Sequence, residues 1–121
     1  MVRLLDYIYR TREIAYELIP SLGVSGATGT VRKRLTGEAV HHKVRAKTGT
    51  LTGVTALSGY VMSRDRVVVA FTVLVNGLTV SSRRANKAVD KIIEALSSLP
   101  LHGGPTTWEP GSKLAGAKGK P

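Results

Sequence analysis

Val44-Arg45-Ala46-Lys47-Thr48-Gly49-Thr50-Leu51-Thr52-Gly53-Val54-Thr55-Ala56-Leu57-Ser58-Gly59-Tyr60-Val61 is the stretch on which the fold turns. Val44 to Leu51 and Thr55 to Ser63 are rich in β-branched and apolar residues, and the short link between them contains Gly53. A third run, Val67 to Val75, follows after Ser63-Arg64-Asp65-Arg66, which is short enough for a hairpin. Three consecutive strands joined by such links are antiparallel neighbours. The third run is apolar almost without interruption, the pattern of a strand covered on both faces, so it reads as the centre of the sheet.

Outward from these strands the period changes. Val2, Leu4, Leu5, Ile8, Tyr9, Ile14, Ala15, Leu18 and Ile19 recur at helical spacing, giving one amphipathic helix or two short ones over residues 2 to 19, ended by Pro20. Residues 20 to 42 hold Gly23, Gly26, Gly29 and Gly37 among Ser and Thr, a loop region with a single helical turn near Val31 to Leu35. After Asn76-Gly77, Ser81 or Ser82 can cap a helix whose apolar positions are Ala85, Ala88, Val89, Ile92, Ile93, Ala95 and Leu96, closed by Pro100. The class is α+β: a three-stranded antiparallel sheet with N- and C-terminal helices. Residues 1–100 form the folded part, and residues 101–121, rich in Gly, Pro and Lys, read as a disordered tail.

Composition narrows the function less than the pattern does. Eighteen Lys plus Arg against eight Asp plus Glu give a formal charge of +10, enough to attract polyanions without naming one. There is no cysteine, hence no disulfide framework and no thiolate metal site. Asp6, Arg10, Arg12 and Glu13 interrupt any signal-peptide core near the N-terminus, and no span approaches the ~20 apolar residues of a membrane helix. Made as written, the chain carries no export address and stays in the cytoplasm.

Lys47-Thr48-Gly49-Thr50 places an ammonium, two hydroxyls and a flexible backbone at one strand, parts suited to a carboxylate or a developing oxyanion. The run 44–61 closely resembles the Lys-Thr-Gly region of penicillin-binding proteins, most of all the low-molecular-mass D-alanyl-D-alanine carboxypeptidase/endopeptidase branch. Leu22 to Gly26, Gly29 to Arg34 and Ala70 to Gly77 resemble flanking parts of the same branch, so the resemblance covers residues 1 to 97. A β-lactamase shares Lys-Thr-Gly but not the longer run. The resemblance implies part of a β-lactamase/transpeptidase-like fold. In that fold the sheet continues beyond the strand matching 67–75, and the Lys-Thr-Gly strand lies at the opposite edge.

By the same resemblance, Lys47 binds the terminal carboxylate of D-Ala-D-Ala, Thr48 hydrogen-bonds the same region and Gly49 permits close approach. The N–H of Thr50 is one of two oxyanion donors. The partners implied for the complete family protein are peptidoglycan peptides ending in D-Ala-D-Ala and β-lactams, its compartment is extracytoplasmic, and no cofactor or metal is required. In the family a Ser-x-x-Lys serine attacks the peptide and a Ser-x-Asn motif supports the transfer. Neither motif occurs in this sequence. The closest spacing is Thr30-Val31-Arg32-Lys33, a stretch that matches a non-catalytic segment of the family.

The chain therefore reads as a C-terminal portion with no complete catalytic set, inactive alone. Without the neighbouring strands, 67–75 becomes an unpaired edge and a route to self-association. The alternative function is a non-catalytic basic module binding wall polymer or nucleic acid through the +10 charge. Arg32-Lys33-Arg34 and Arg83-Arg84 lack interleaved aromatics or a reader motif and read as solvated surface rather than nucleic-acid contacts. His41-His42 lacks a third ligand at metal spacing, and neighbouring side chains in extended backbone point apart, so it reads as a solvated loop pair.

Overall fold

The computed structural model describes residues 1–101. Two helices open the chain, α1 (Val2–Arg10) and α2 (Arg12–Ser21). Thr11 divides them: its backbone is extended, its hydroxyl donates to the Tyr7 carbonyl at 2.8 Å, and its own carbonyl accepts from the amides of Ile14 and Ala15. One residue thus closes the first helix and opens the second, the bonding expected where helix ends leave backbone groups unsatisfied. Pro20 does not end the second helix where the sequence pattern stops. It occupies the last turn, and the helix closes one residue later when the Leu22 amide bonds the Ile19 carbonyl at 3.2 Å.

The sheet has four strands rather than three, in the order β1 (Gly23–Val24), β2 (Val44–Leu51), β3 (Val54–Met62) and β4 (Val68–Val75), all antiparallel. The additional strand is two residues long and pairs only with Arg45 and Ala46 of β2. Its extended conformation comes from that partner, since nothing in the Gly- and Ser-rich sequence around it specifies a strand. A second correction concerns the most apolar run. β4 lies at an edge of the sheet, with Phe71 buried but Thr72 and Leu74 exposed, and it is β3 that sits between two strands. The hairpin joining β3 to β4 is closed by the Ser63 amide on the Val67 carbonyl at 2.9 Å, with the Ser63 hydroxyl accepting the Val67 amide at 3.1 Å.

Each face of the sheet has its own core. On one, Val44, Ala46, Leu57, Val61 and Phe71 pack with Val31, Leu35 and Val40 of the connecting loop and with Val89 and Ile93 of α3 (Ser82–Ser98). Ser81 caps α3, accepting the Arg84 amide at 3.3 Å, and Ala85, Val89 and Ile93 recur at i+4 along the buried stripe. Ile92, which also fits the apolar pattern, lies off that stripe and is 53% exposed. On the other face Leu5, Tyr9, Ala15 and Ile19 of the helical pair cover Tyr60 and Val68. The Tyr9 and Tyr60 rings stand 5.6 Å apart, and the Tyr60 hydroxyl donates to the Leu5 carbonyl at 2.7 Å. Each fully buried aliphatic side chain contributes about 1.5–3 kcal/mol, which makes these two cores the main source of stability.

The helical pair covers only one end of its face. Toward the other end Gly49, Leu51, Thr72 and Leu74 are exposed. Among the described residues no helix is long and apolar enough to cross a membrane.

Candidate active-site strand

β2 is held in place by three close contacts before it reaches Lys47. Ser25, fully buried, donates its hydroxyl to the Val40 carbonyl at 2.7 Å and accepts the Val44 amide at 3.2 Å, while its own amide bonds the Val44 carbonyl at 3.0 Å. Gly59 faces Ala46 across the ladder at a separation no side chain tolerates: a Cβ there would stand 2.0 Å from the Arg45 carbonyl oxygen. Gly29, with φ +64, presses onto Gly23 of β1, where a Cβ would come within 2.9 Å of the Gly23 Cα. The last contact sets the 3-10 turn Gly29–Val31 beside β2.

The ladder also fixes the direction of the backbone groups. Both the amide and the carbonyl of Val44 point toward β1, as their bonds to Ser25 show. In an antiparallel strand this direction alternates, so the N–H and C=O groups of Ala46, Thr48 and Thr50 point to that same outer side. β1 stops pairing at Ala46, and among the described residues no strand lies against the outer edge of β2 from Lys47 to Leu51. The alternation of side chains puts Lys47 and Gly49 on the face covered by α1 and α2, and Thr48 on the α3 face.

Lys47 is exposed, and its ammonium folds over the strand edge to donate to the Thr48 carbonyl at 2.8 Å. The Thr48 hydroxyl donates to the Thr30 hydroxyl at 2.7 Å, so the 3-10 turn holds the threonine of the motif in one orientation. Gly49 has open space on its side-chain face: a Cβ would only touch the Ala56 methyl at 3.7 Å, an ordinary contact. The chain's own packing does not require glycine there. Beside Lys47 on the ladder sits Ser58, whose hydroxyl is bonded to that of Thr72 at 2.7 Å, extending a polar row across three strands.

Lys47, Thr48, Gly49 and Thr50 all belong to β2, along the part of its outer edge that no strand covers among the described residues. Thr30, Ser58 and Thr72 are the neighbours that sequence reading missed. Thr30 appeared there only as the nearest spacing match to a nucleophile, and in the structure its hydroxyl serves as the acceptor for Thr48. The one signal for the row was strand register, which aligns Ser58 with Lys47 once the two-residue link at Gly53 is fixed.

His41 and His42 are an exposed loop pair, as their sequence suggested, but their side chains do not point apart. Their ring centroids lie 3.9 Å apart, because His42 takes a left-handed backbone (φ 60) that turns its side chain back instead of away. Both are exposed, and among the described residues no three His, Cys, Asp or Glu gather as metal ligands. Tyr60 is buried beneath the helical pair. Burial pushes its phenol well above the ordinary value of 10.0, with the nearby Asp6 charge and Tyr9 adding to the effect.

Comparison with known proteins places these features in a family. Residues 1–99 match the model of the D-Ala-D-Ala carboxypeptidase 3 (S13) family. The chain is 33% identical over 82 residues to carboxypeptidase DacB of Mycolicibacterium smegmatis, covering 64% of this chain and 18% of that protein. It is 44% identical over 62 residues to a D-alanyl-D-alanine carboxypeptidase of Actinomadura sp., covering 47% of this chain and 11% of that protein. The fold superposes on penicillin binding protein 4 from Haemophilus influenzae with a TM-score of 0.70 and 26% identity, over 81% of this chain and 23% of that one. A predatory peptidoglycan endopeptidase from Bdellovibrio bacteriovorus shares the fold at a TM-score of 0.53 and 19% identity, over 74% of this chain and 24% of that one. The chain thus spans less than a quarter of each of these relatives. With its sheet and helices matched over residues 1–99, the chain belongs to the D-Ala-D-Ala carboxypeptidase 3 (S13) family.

Proposed function

We propose that this chain supplies the substrate-carboxylate and oxyanion strand of a serine-type D-Ala-D-Ala carboxypeptidase acting on peptidoglycan peptides, and that it does not carry the nucleophile. The observation behind this reading is the free outer edge of β2. There the Lys47 ammonium, the Thr48 hydroxyl and the outward N–H of Thr50 border one strip of open backbone.

An extended peptide laid along that edge meets backbone donors and acceptors of Thr48 and Thr50 as a further strand would. Lys47 releases the Thr48 carbonyl and turns its charge to the peptide's terminal carboxylate, and the Thr48 hydroxyl turns its one proton from Thr30 to the same group, with Thr30 then donating to Thr48. Thr50 N–H then faces the carbonyl oxygen on which negative charge develops, and a donor so placed lowers the barrier to attack. Gly49 keeps the strip clear of side-chain bulk. A carbon at that position would crowd the peptide rather than the fold.

Attack itself needs an activated hydroxyl, and the two serines bonded to or paired with β2 are engaged otherwise. Ser25 is buried with its hydroxyl engaged as donor and acceptor, and Ser58 is bonded to Thr72. No Ser-x-x-Lys or Ser-x-Asn occurs in the sequence. Residues of such a unit act together, so the strand alone binds without cutting.

Two measurements test the two halves of this reading. Incubation with a fluorescent penicillin followed by denaturing electrophoresis leaves the chain unlabelled, and a covalent band would contradict the missing nucleophile. Titration with N-acetyl-D-Ala-D-Ala, followed by amide NMR, shifts residues 47–51 in the wild type and not in Lys47→Ala. Unmoved β2 amides would remove the carboxylate-binding role.

A further inference from the structure

The two basic runs read in the sequence as solvated surface are brought together by the fold. α3 presents Arg83, Asn86, Lys87 and Asp90 at i, i+3, i+4 and i+7, one face of the helix. Across from this face lie Lys33 and Arg34, just beyond the 3-10 turn. These six residues line a cavity of about 410 Å³. A second cavity of about 410 Å³, lined by Ser81, Arg83, Arg84 and Lys87, shares Arg83 and Lys87 with the first, so the groove runs on to the first turn of α3.

Its floor is already neutral. Arg34 donates through Nε to both Asp90 oxygens at 3.2 Å and through Nη2 to one of them at 2.5 Å, which consumes the one acidic group lining the cavity. Glu94, a turn further along α3, lies beside Gly37. The Asn86 side-chain oxygen accepts the Thr55 hydroxyl at 2.7 Å, and that bond leaves the two amide N–H donors of Asn86 uncommitted. On the walls Lys33, Arg83 and Lys87 are exposed, and neither ion pair among the described residues, Arg10–Asp6 or Arg34–Asp90, involves them.

Three uncompensated cations around one concavity repel one another, and a multiply charged oxyanion relieves that repulsion. A carboxylate brings one charge and two oxygens. A phosphate group brings up to two charges at neutral pH and enough oxygens to accept from a guanidinium fork and two ammoniums together. We propose that the groove between Lys33-Arg34 and the first two turns of α3 binds a phosphate group. This site is independent of the β2 edge and stands or falls without it.

The test is an amide NMR titration of the full chain at constant ionic strength, with inorganic phosphate in one arm, glycerol phosphate in the other and chloride as reference. Saturable shifts confined to residues 33–34 and 83–87, complete below about 10 mM, are the expected result. The tighter arm distinguishes free from esterified phosphate. Arg83→Gln/Lys87→Gln weakens binding at least about tenfold, while Arg3→Gln/Arg64→Gln, which removes the same charge elsewhere, leaves it unchanged. Unsaturable shifts spread over all basic residues, or equal loss in both double variants, would overturn the proposal. Thermal melts of both variants confirm that the comparison is made on folded protein.

Discussion

Tyr60 ties the N-terminal helices to the sheet through one hydroxyl, and its position has a consequence for pH. The phenol is fully buried and donates to the Leu5 carbonyl, and its pKa is raised above the ordinary 10.0. Below pH about 10 the residue is protonated whether the chain is folded or not, so its contribution to stability is fully present. Above that pH the unfolded chain releases the proton while the folded chain retains it. Stability therefore falls as pH rises, by up to about 1.4 kcal/mol per unit for this one group. Tyr60→Phe costs about 1 kcal/mol at pH 7, from the lost hydrogen bond, and has a shallower alkaline decline. Urea unfolding at pH 7 and pH 11 checks both, and parallel pH dependence in the two proteins would rule the mechanism out. At the same scale, Thr30→Val removes the hydroxyl that can donate to Thr48 once Thr48 turns its proton to a carboxylate, and N-acetyl-D-Ala-D-Ala then binds more weakly at an unchanged melting temperature.

Two glycines of the strand pair β2 and β3 separate folding from function. A methyl at Gly59 meets the backbone of Arg45 and Ala46, so Gly59→Ala forces the strands apart, costs about 3 kcal/mol and displaces Lys47 with the rest of β2. A methyl at Gly49 meets only Ala56 at contact distance, so Gly49→Ala keeps or slightly raises stability while obstructing a peptide on the edge. Denaturation should separate the two variants, Gly59→Ala unfolding early and Gly49→Ala like the wild type, while ligand titration should show both weakened. The long strands and α3 were legible in the sequence because β-branched runs, tight links and the spacing of Ala85, Val89 and Ile93 are local signals. β1 was not, since two residues made extended by their partner carry no pattern of their own. The apolar run of β4 pointed by itself to a sheet centre, because it records what a strand can bury and not which neighbours are present; its edge position was legible only from the resemblance, through the neighbouring strands that the sequence lacks. For the candidate site, Lys47 to Thr50 stood out as a motif, whereas Thr30, Ser58 and Thr72 reach it only through pairing across the fold.

At the scale of the whole molecule, β4 leaves one edge without a strand among the described residues, and Leu74 beside that edge is 69% exposed. Unpaired edges of this length template pairing with a second chain. Sedimentation velocity should show concentration-dependent association, reduced by Leu74→Lys, which adds a charge without touching either core. A monodisperse monomer at all concentrations would end that reading. The two cores have a further consequence. They lie on opposite faces of the sheet, and the Tyr60–Leu5 bond belongs to the second alone, so α1 and α2 can open as a unit of their own. Amide hydrogen exchange will then report two tiers, with α1 and α2 losing protection together in fluctuations that leave β2, β3 and α3 closed. Such an opening bares Tyr60 and Val68, while Lys47, already exposed beyond the helices on the same face, stays on its strand.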